Sequence, residues 1–264
     1  IQEIGGDVIF LAPDGVRTIS ATERFGDFGL DVASKPIKKE ADNLARLSSQ
    51  FSSVVIREKG QYRLFGYITS EQVEVSKGII GTKFIDQGGA GINWSTTQGI
   101  KAYVANSNYV GTTEVIAFAN ETDYVYLMDV GANFNGSNIP AIFQSPFWSL
   151  TDTKIRKSFY GLTLFAEPTG TFTVTSSIKL DLGNTSSIQP NAFTLTSIGD
   201  STFVYGSSES LYNTAKYGGQ SQIKYDNHLI GSGKTVALRI EDNSTNPSFT
   251  LDTAIIDFAQ NDRQ

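Results

Sequence analysis

The end of this 264-residue chain alternates with a regularity that only a strand explains. Phe249, Leu251, Thr253, Ile255 and Asp257 fall on one side, and Thr250, Asp252, Ala254, Ile256 and Phe258 on the other. A period of two is the pattern of a strand in a packed sheet. A polar tag, Gln260-Asn261-Asp262-Arg263, follows it. A strand needs neighbours to satisfy its backbone, so the rest of the chain is expected to supply sheets. The composition agrees, since 25 glycines and 17 phenylalanines against one methionine favour turns and strands over helices. The expected class is all-β.

A chain of this length buries a core without covalent staples. It has no cysteine and one histidine, His228, which removes disulfides, thiolate metal sites and a cysteine nucleophile, and leaves little imidazole chemistry. The formal charge of -6 argues against general affinity for phosphate backbones, which rests on Lys and Arg displacing counterions. A wall along which DNA slides is a different case, because weak repulsion lets the polymer pass. No apolar run reaches the roughly 20 residues that a membrane helix needs. The chain starts at Ile1, and further sequence upstream is expected.

Two hairpins are legible. Val54 to Glu58 and Gln61 to Ile68 flank Lys59-Gly60, and Glu114 to Ala119 and Asp123 to Asp129 flank Asn120-Glu121-Thr122. In the second, Tyr124, Tyr126 and Met128 share a face opposite Val125 and Leu127. Between the hairpins, Gln72 to Val75, Gly81 to Asp86 and Ile100 to Ala105 read as further strands of four-stranded units. One helix is expected, with Ser34 as N-cap, Pro36 in the first turn, and Ile37, Ala41, Leu44 and Ala45 on its apolar face. Past residue 145, Phe159 to Glu167, Gly170 to Leu182, Ala192 to Ser197, Ser221 to Asn227 and Thr235 to Asp242 read as strands, with Gly183-Asn184 and Glu241-Asp242-Asn243 as turns. The stretch Asn133 to Ile142, rich in Gly, Asn, Ser and Pro, is the linker candidate. The expected organisation is a hairpin-rich, β-propeller-like region over 1–140 and a β-sandwich-like region over 141–264.

Three stretches carry a resemblance. The ending Phe249-Thr250-Leu251-Asp252-Thr253-Ala254-Ile255-Ile256-Asp257-Phe258-Ala259-Gln260-Asn261-Asp262-Arg263-Gln264 resembles the terminus of tail nozzle and hub proteins of short-tailed bacteriophages. Asp7-Val8-Ile9-Phe10-Leu11-Ala12-Pro13-Asp14-Gly15-Val16-Arg17 is similar to a strand-turn opening in that family. Ser145-Pro146-Phe147-Trp148-Ser149-Leu150 through Ile155-Arg156-Lys157-Ser158-Phe159-Tyr160 is similar to another of its phrases. The resemblance implies propeller-like blades and a structural virion protein assembled in the host cytoplasm. It also implies a homohexameric ring in the tail that meets an adaptor or upper tail-tube protein and tail fibres, retains packaged double-stranded DNA and passes it at ejection. It implies no catalytic residue, cofactor or metal, and assigns no residue to a channel lining. The alternative from the residues themselves is a carbohydrate-binding receptor module or a glycan-degrading β enzyme.

Four features invite chemistry. Gly231-Ser232-Gly233-Lys234-Thr235 resembles the end of a phosphate-binding loop, but that motif needs a glycine where His228 stands and a following helix, and Val236 to Ile240 alternates as a strand. A glycine turn before a strand is the simpler reading. His228 follows Asp226, with no Gly-x-Ser-x-Gly elbow in the chain to complete a hydrolase triad. The acids Glu121, Asp123, Asp181, Asp252 and Asp257, with Trp94 and Trp148, are candidates for sugar contact, although aromatics in all-β chains usually fill cores. Lys154, Arg156 and Lys157 form a compact basic cluster suited to an acidic neighbour, or to guarding a strand edge.

Overall fold

A computed structural model describes residues 1–19, 32–69, 74–86, 89–168, 170, 172–196, 223–246 and 248–261. Gln72, Val73, Thr171, Ser197, Ser221, Gln222, Asp262 and Arg263, read above as strand or tag, lie outside the described residues. The protein is mostly β, with one short α-helix among those residues. Its described strands form five antiparallel sheets and no closed barrel. The chain divides into two compact units, Ile1–Val130 and Gly131–Gln264.

In the first unit, β1 (Gln2–Ile4), β2 (Asp7–Ala12) and β3 (Gly15–Thr18) form one sheet. The helix α1 (Lys38–Leu47) follows a 3-10 turn over Lys35–Ile37. Next come the four-stranded meander β4 (Gln50–Ile56), β5 (Gln61–Thr69), β6 (Glu74–Asp86) and β7 (Gly89–Gln98), and then a sheet of β8 (Val104–Val110), β9 (Thr113–Ala119) and β10 (Val125–Leu127). The meander lies at the centre and buries both faces. On one side Val55, Tyr62, Leu64 and Ile79 meet Ile9, Val16, Ala41 and Leu44. On the other, Val54, Ile56 and Phe65 meet Ala102, Ile116 and Met128. Burial on both faces explains the unbroken apolar run Val54-Val55-Ile56, which alternation alone would forbid.

Charged groups pin these layers together. Arg63 is 7% exposed and donates to both oxygens of Asp129, at 2.8 and 2.7 Å, and Lys59 reaches the same carboxylate at 2.5 Å. Burial opposes the charge on Asp129, but these two cations hold its carboxyl below the usual range. Glu114 accepts the backbone N–H groups of Arg57 and Glu58, at 3.0 and 2.9 Å, so a β9 side chain closes the turn of the β4–β5 hairpin.

In the second unit, β11 (Ile139–Gln144), β16 (Val236–Ser244), β13 (Thr173–Leu180) and β14 (Phe193–Thr196) make one sheet in that order. β15 (Ile223–Gly233), β12 (Lys157–Pro168) and β17 (Phe249–Gln260) make the other. One apolar cluster joins them, with Phe159, Leu162, Leu164 and Leu229 from one sheet and Val174, Ile178, Leu180, Val236, Leu238 and Ile240 from its neighbour. This is a β-sandwich. Phe172 stacks on Phe249 with ring centres 4.7 Å apart.

Several expectations are corrected. The terminal strand does not keep one inward face. Phe165 and Ala166 pair with Thr253 and Leu251, which leaves Asp252 as an extra, bulged residue. Phe249 and Leu251 point inward before the bulge, Ile256 and Phe258 after it, and Ile255 is exposed. A second irregularity beside Tyr160 lets Phe159 and Leu162, three residues apart, share the core. Ser34 does not cap the helix; its hydroxyl accepts the Val16 N–H at 2.9 Å. Glu74 and Val75, the described part of the segment read at Gln72–Val75, belong with Gly81–Asp86 to the single strand β6, and β7 went unread because Gly, Ser and Thr dilute its pattern. The strand read over Ile100–Ala105 begins at Val104. Glu241-Asp242-Asn243 lies inside β16, opposite Ile142, Ala141 and Pro140. The second half of Asn133–Ile142 is therefore strand β11, not linker.

β11 is a sheet edge exposed from Pro140 to Gln144 and free of charge. The Ser145 N–H donates to Leu238 O at 2.9 Å, so backbone groups of Ile139, Ala141 and Phe143 face β16 in the same register. Those of Pro140, Ile142 and Gln144 face outward.

Two substitutions test this description. Ile256→Ala is expected to destabilise the second unit by about 2 kcal/mol and Ile255→Ala by less than about 0.5 kcal/mol in urea unfolding, and equal effects would refute the bulge. Asp129→Ala strands the Arg63 guanidinium and is expected to cost about 3 kcal/mol or more in the first unit, well above the cost of Lys59→Ala.

Candidate functional site at the loop end of the sandwich

Three of the four chemical features in the sequence converge on one end of the second unit. There β13 turns back, β15 crosses over to β16, and the chain from β11 enters β12. The residues Gly231 to Thr235, the cluster Lys154 to Lys157, Trp148 and Asp181 all meet at this end, through the contacts below.

Asp181 organises it. Its Oδ1 accepts the N–H of Lys234 at 2.6 Å and of Thr235 at 3.4 Å, while Ser187 Oγ donates to Oδ2 at 3.1 Å. Two successive amides converging on an oxygen form an anion-binding nest, and the chain fills this one itself. Burial disfavours the charged form, but the two amides, the Ser187 hydroxyl and the nearby Arg156 hold the Asp181 carboxyl below the usual range. The glycines of the phosphate-loop-like sequence serve packing. A Cβ on Gly231 would come within 2.7 Å of Pro190, and one on Gly233 within 3.1 Å of Asp181 and Leu180. The expectation of a glycine turn is corrected: Gly231 to Gly233 are the last residues of β15, paired with Phe159 to Lys157, the turn falls on Lys234 and Thr235, and Asp181 occupies the nest.

The basic cluster comes apart in space. Lys157 is fully buried, and its Nζ donates to the carbonyls of Asp152 at 2.6 Å and Lys234 at 3.0 Å. Arg156 donates to Ser232 Oγ at 2.6 Å and Ser232 O at 2.8 Å. Only Lys154 of the three projects as an exposed cation without such a tie to the crossover. Instead of guarding a strand edge, Lys157 lies on the central strand of its sheet, and with Arg156 it binds the entry to β12 onto the β15–β16 crossover.

Side chains stand in for backbone throughout this end. Gln189 accepts the Leu180 N–H at 2.8 Å and donates to Leu180 O at 3.0 Å, as a neighbouring strand would. Ser145 Oγ accepts the Leu238 N–H at 2.9 Å. Trp148 exchanges both backbone hydrogen bonds with Val236, at 2.8 and 2.9 Å, and keeps its side chain 41% exposed. Leu150, Asp181 and Leu182 all have positive φ, between 51° and 61°, a region that costs non-glycine residues free energy and persists only when the surroundings impose it. Here it holds Leu182 outward, 75% exposed.

The remaining candidates are not gathered at this end. His228 is exposed on β15 opposite Gly161, beside a shallow cleft lined by Gln189, Phe193 and Leu229. Asp226 pairs with Lys224 at 2.8 Å and accepts from Thr163 Oγ1 at 2.6 Å; these contacts lower its pKa and provide no serine nucleophile for His228. Trp94 is half-buried against the core of the first unit, its Nε1 donating to Ala33 O at 2.7 Å. Glu121 is paired with Lys101, Asp123 is exposed in the hairpin turn, and Asp252 is the bulge residue. Asp257 lies over Gly161, where its Oδ2 is 2.6 Å from the place a Cβ would take. Among the described residues no group of three or more His, Asp or Glu is arranged to hold a metal ion. No helix among them is long and apolar enough to cross a membrane.

Sequence reading missed the organising roles of Asp181, Gln189 and Ser145. The one available signal was Asp181-Leu182-Gly183-Asn184, whose composition marks a turn that places an acid at a strand end.

Asp181→Ala is expected to destabilise the second unit by about 2 kcal/mol, because it leaves two amides without an acceptor. Lys234→Ala, which removes only a side chain, is expected to stay within about 0.5 kcal/mol. With the folded pKa of Asp181 below its unfolded value of about 3.9, the carboxylate's contribution is present above that pH and is lost as pH falls through the folded value. Urea titrations at pH 7 and pH 3 are expected to show the parent losing more stability on acidification than Asp181→Ala. In comparisons with known proteins, no family model and no curated protein matches this chain.

Proposed function

We propose that the chain is a structural subunit of a phage tail, a nozzle or hub protein that joins copies of itself in a hexameric ring and forms part of the conduit for DNA. The observation that supports this most is how the sandwich end uses its charges. Asp181, Arg156 and Lys157 bind its loops to one another, while uncharged apolar surfaces, the β11 edge among them, stay exposed. A protein that works by assembly needs rigid loops and uncharged contact surfaces. In a ring, each copy offers one surface to the next and a different one to the copy behind. The net charge of -6 is compatible with a wall that lets DNA slide. The expected partners are an adaptor or upper tail-tube ring and tail fibres.

A second reading rests on Trp148, an indole exposed at the loop end of a β-sandwich, which is a geometry suited to stacking on a sugar ring. On that reading the chain is a carbohydrate-binding module.

Light scattering of the native chain, followed by imaging of virions labelled with an antibody to it, tests the first reading. A ring mass and label at the tail are the expected results. A monomer with unlabelled virions, together with a Trp148-dependent signal on a glycan array, would move the conclusion to the second.

A further inference from the structure

The sheet β8-β9-β10 has one face against the meander, and within the first unit no apolar cluster of described residues covers the other. Its inward face carries Ile116 and Met128. Its outward face is built in rows across the three strands, Val104, Ala119 and Val125 in one and Asn106, Ala117 and Leu127 in the next, continued by Asn108 with Val115 and Val110 with Thr113. Val104 is 59% exposed, Val110 70%, Val125 73% and Leu127 54%. Val104, Ala119, Val125, Ala117 and Leu127 adjoin one another across the three strands, and contiguous exposed apolar side chains mark a contact surface where scattered ones do not.

We propose that a second copy of this chain packs on this face with its own β8-β9-β10 face, about a two-fold axis. Two features point to a copy rather than to an unrelated partner. The first is charge. None of the ten residues in the rows is ionisable, in a chain whose net charge is -6. Two such copies repel each other over most approaches, and a face without charge is where they can meet without desolvating or opposing like charges. The second is relief. The central strand carries small residues, Ala117 and Ala119, and the flanking strands carry Val104, Val125 and Leu127. A furrow between two ridges is self-complementary, since a ridge of one copy seats in the furrow of its mate under two-fold symmetry.

This contact closes after two copies, so it is separate from the head-to-tail contact of a ring and does not rest on the virion reading. Ten residues are fewer than the roughly 20 to 30 a side of a standard stable interface, so weak, concentration-dependent association is expected.

Sedimentation equilibrium of the intact chain between about 1 and 100 μM is the test. A mass rising toward a whole multiple of two is expected. Val125→Lys with Leu127→Lys is expected to weaken the association by roughly tenfold or more, because it places like charges face to face. Both positions are more than half exposed, so folding is checked simply by an unchanged circular dichroism melt. The chain has no cysteine of its own, so Ala117→Cys with a short bismaleimide gives a second readout. It is expected to yield a covalent dimer, whereas Leu182→Cys at the sandwich end is not. A monomer across the whole range, association unchanged in the double variant, or equal cross-linking at both cysteines would each overturn the proposal.

Discussion

A single carboxylate, Asp181, fixes the part of this protein where the two layers of the sandwich exchange chain. The crossover from β15 to β16 must turn through Lys234 and Thr235, and a turn of that kind exposes two N–H groups with no strand to receive them. Asp181 accepts both. Because it sits at the end of β13, the same contact joins the crossover to the sheet that the crossover enters. Gln189, Arg156 and Lys157 then fasten adjoining segments to the same knot. The positive φ values at Asp181 and Leu182 are a cost that this network offsets.

The first unit shows the same economy with different residues. Arg63 and Asp129 pair across the packed layers, and Glu114 closes a turn that belongs to another sheet. In both units the ionisable groups at these joints are bound to backbone or to one another. Surfaces left without charge, the outer face of β8-β9-β10 and the edge β11, are those a neighbouring molecule can cover at least electrostatic cost.

Much of the architecture was legible because strand patterning is local. The β4–β5 and β9–β10 hairpins declared themselves by alternation and turn residues, and α1 by Ile37, Ala41 and Leu44 on one face. What failed to show depends on partners distant in sequence. The bulge at Asp252 is defined only by the register with β12, so strict alternation put Leu251 and Ile256, which share the core, on opposite faces. Ser34 has the composition of a cap and spends its hydroxyl on Val16 instead. Lys157 looks like a surface residue until its neighbours Asp152 and Lys234 turn their carbonyls toward it. At the candidate site the ingredients were visible, but the fact that Asp181 fills the nest was not, because 53 residues separate donor and acceptor.

The proline in β11 sets a limit on what that edge can do. Pro140 faces outward and has no N–H, so the open side of the strand offers donors only at Ile142 and Gln144. Two donors are enough to orient an arriving strand and too few to template a long ladder. Contacts made along this edge therefore form in a defined direction and release readily, and runaway fibre growth is checked at its first step.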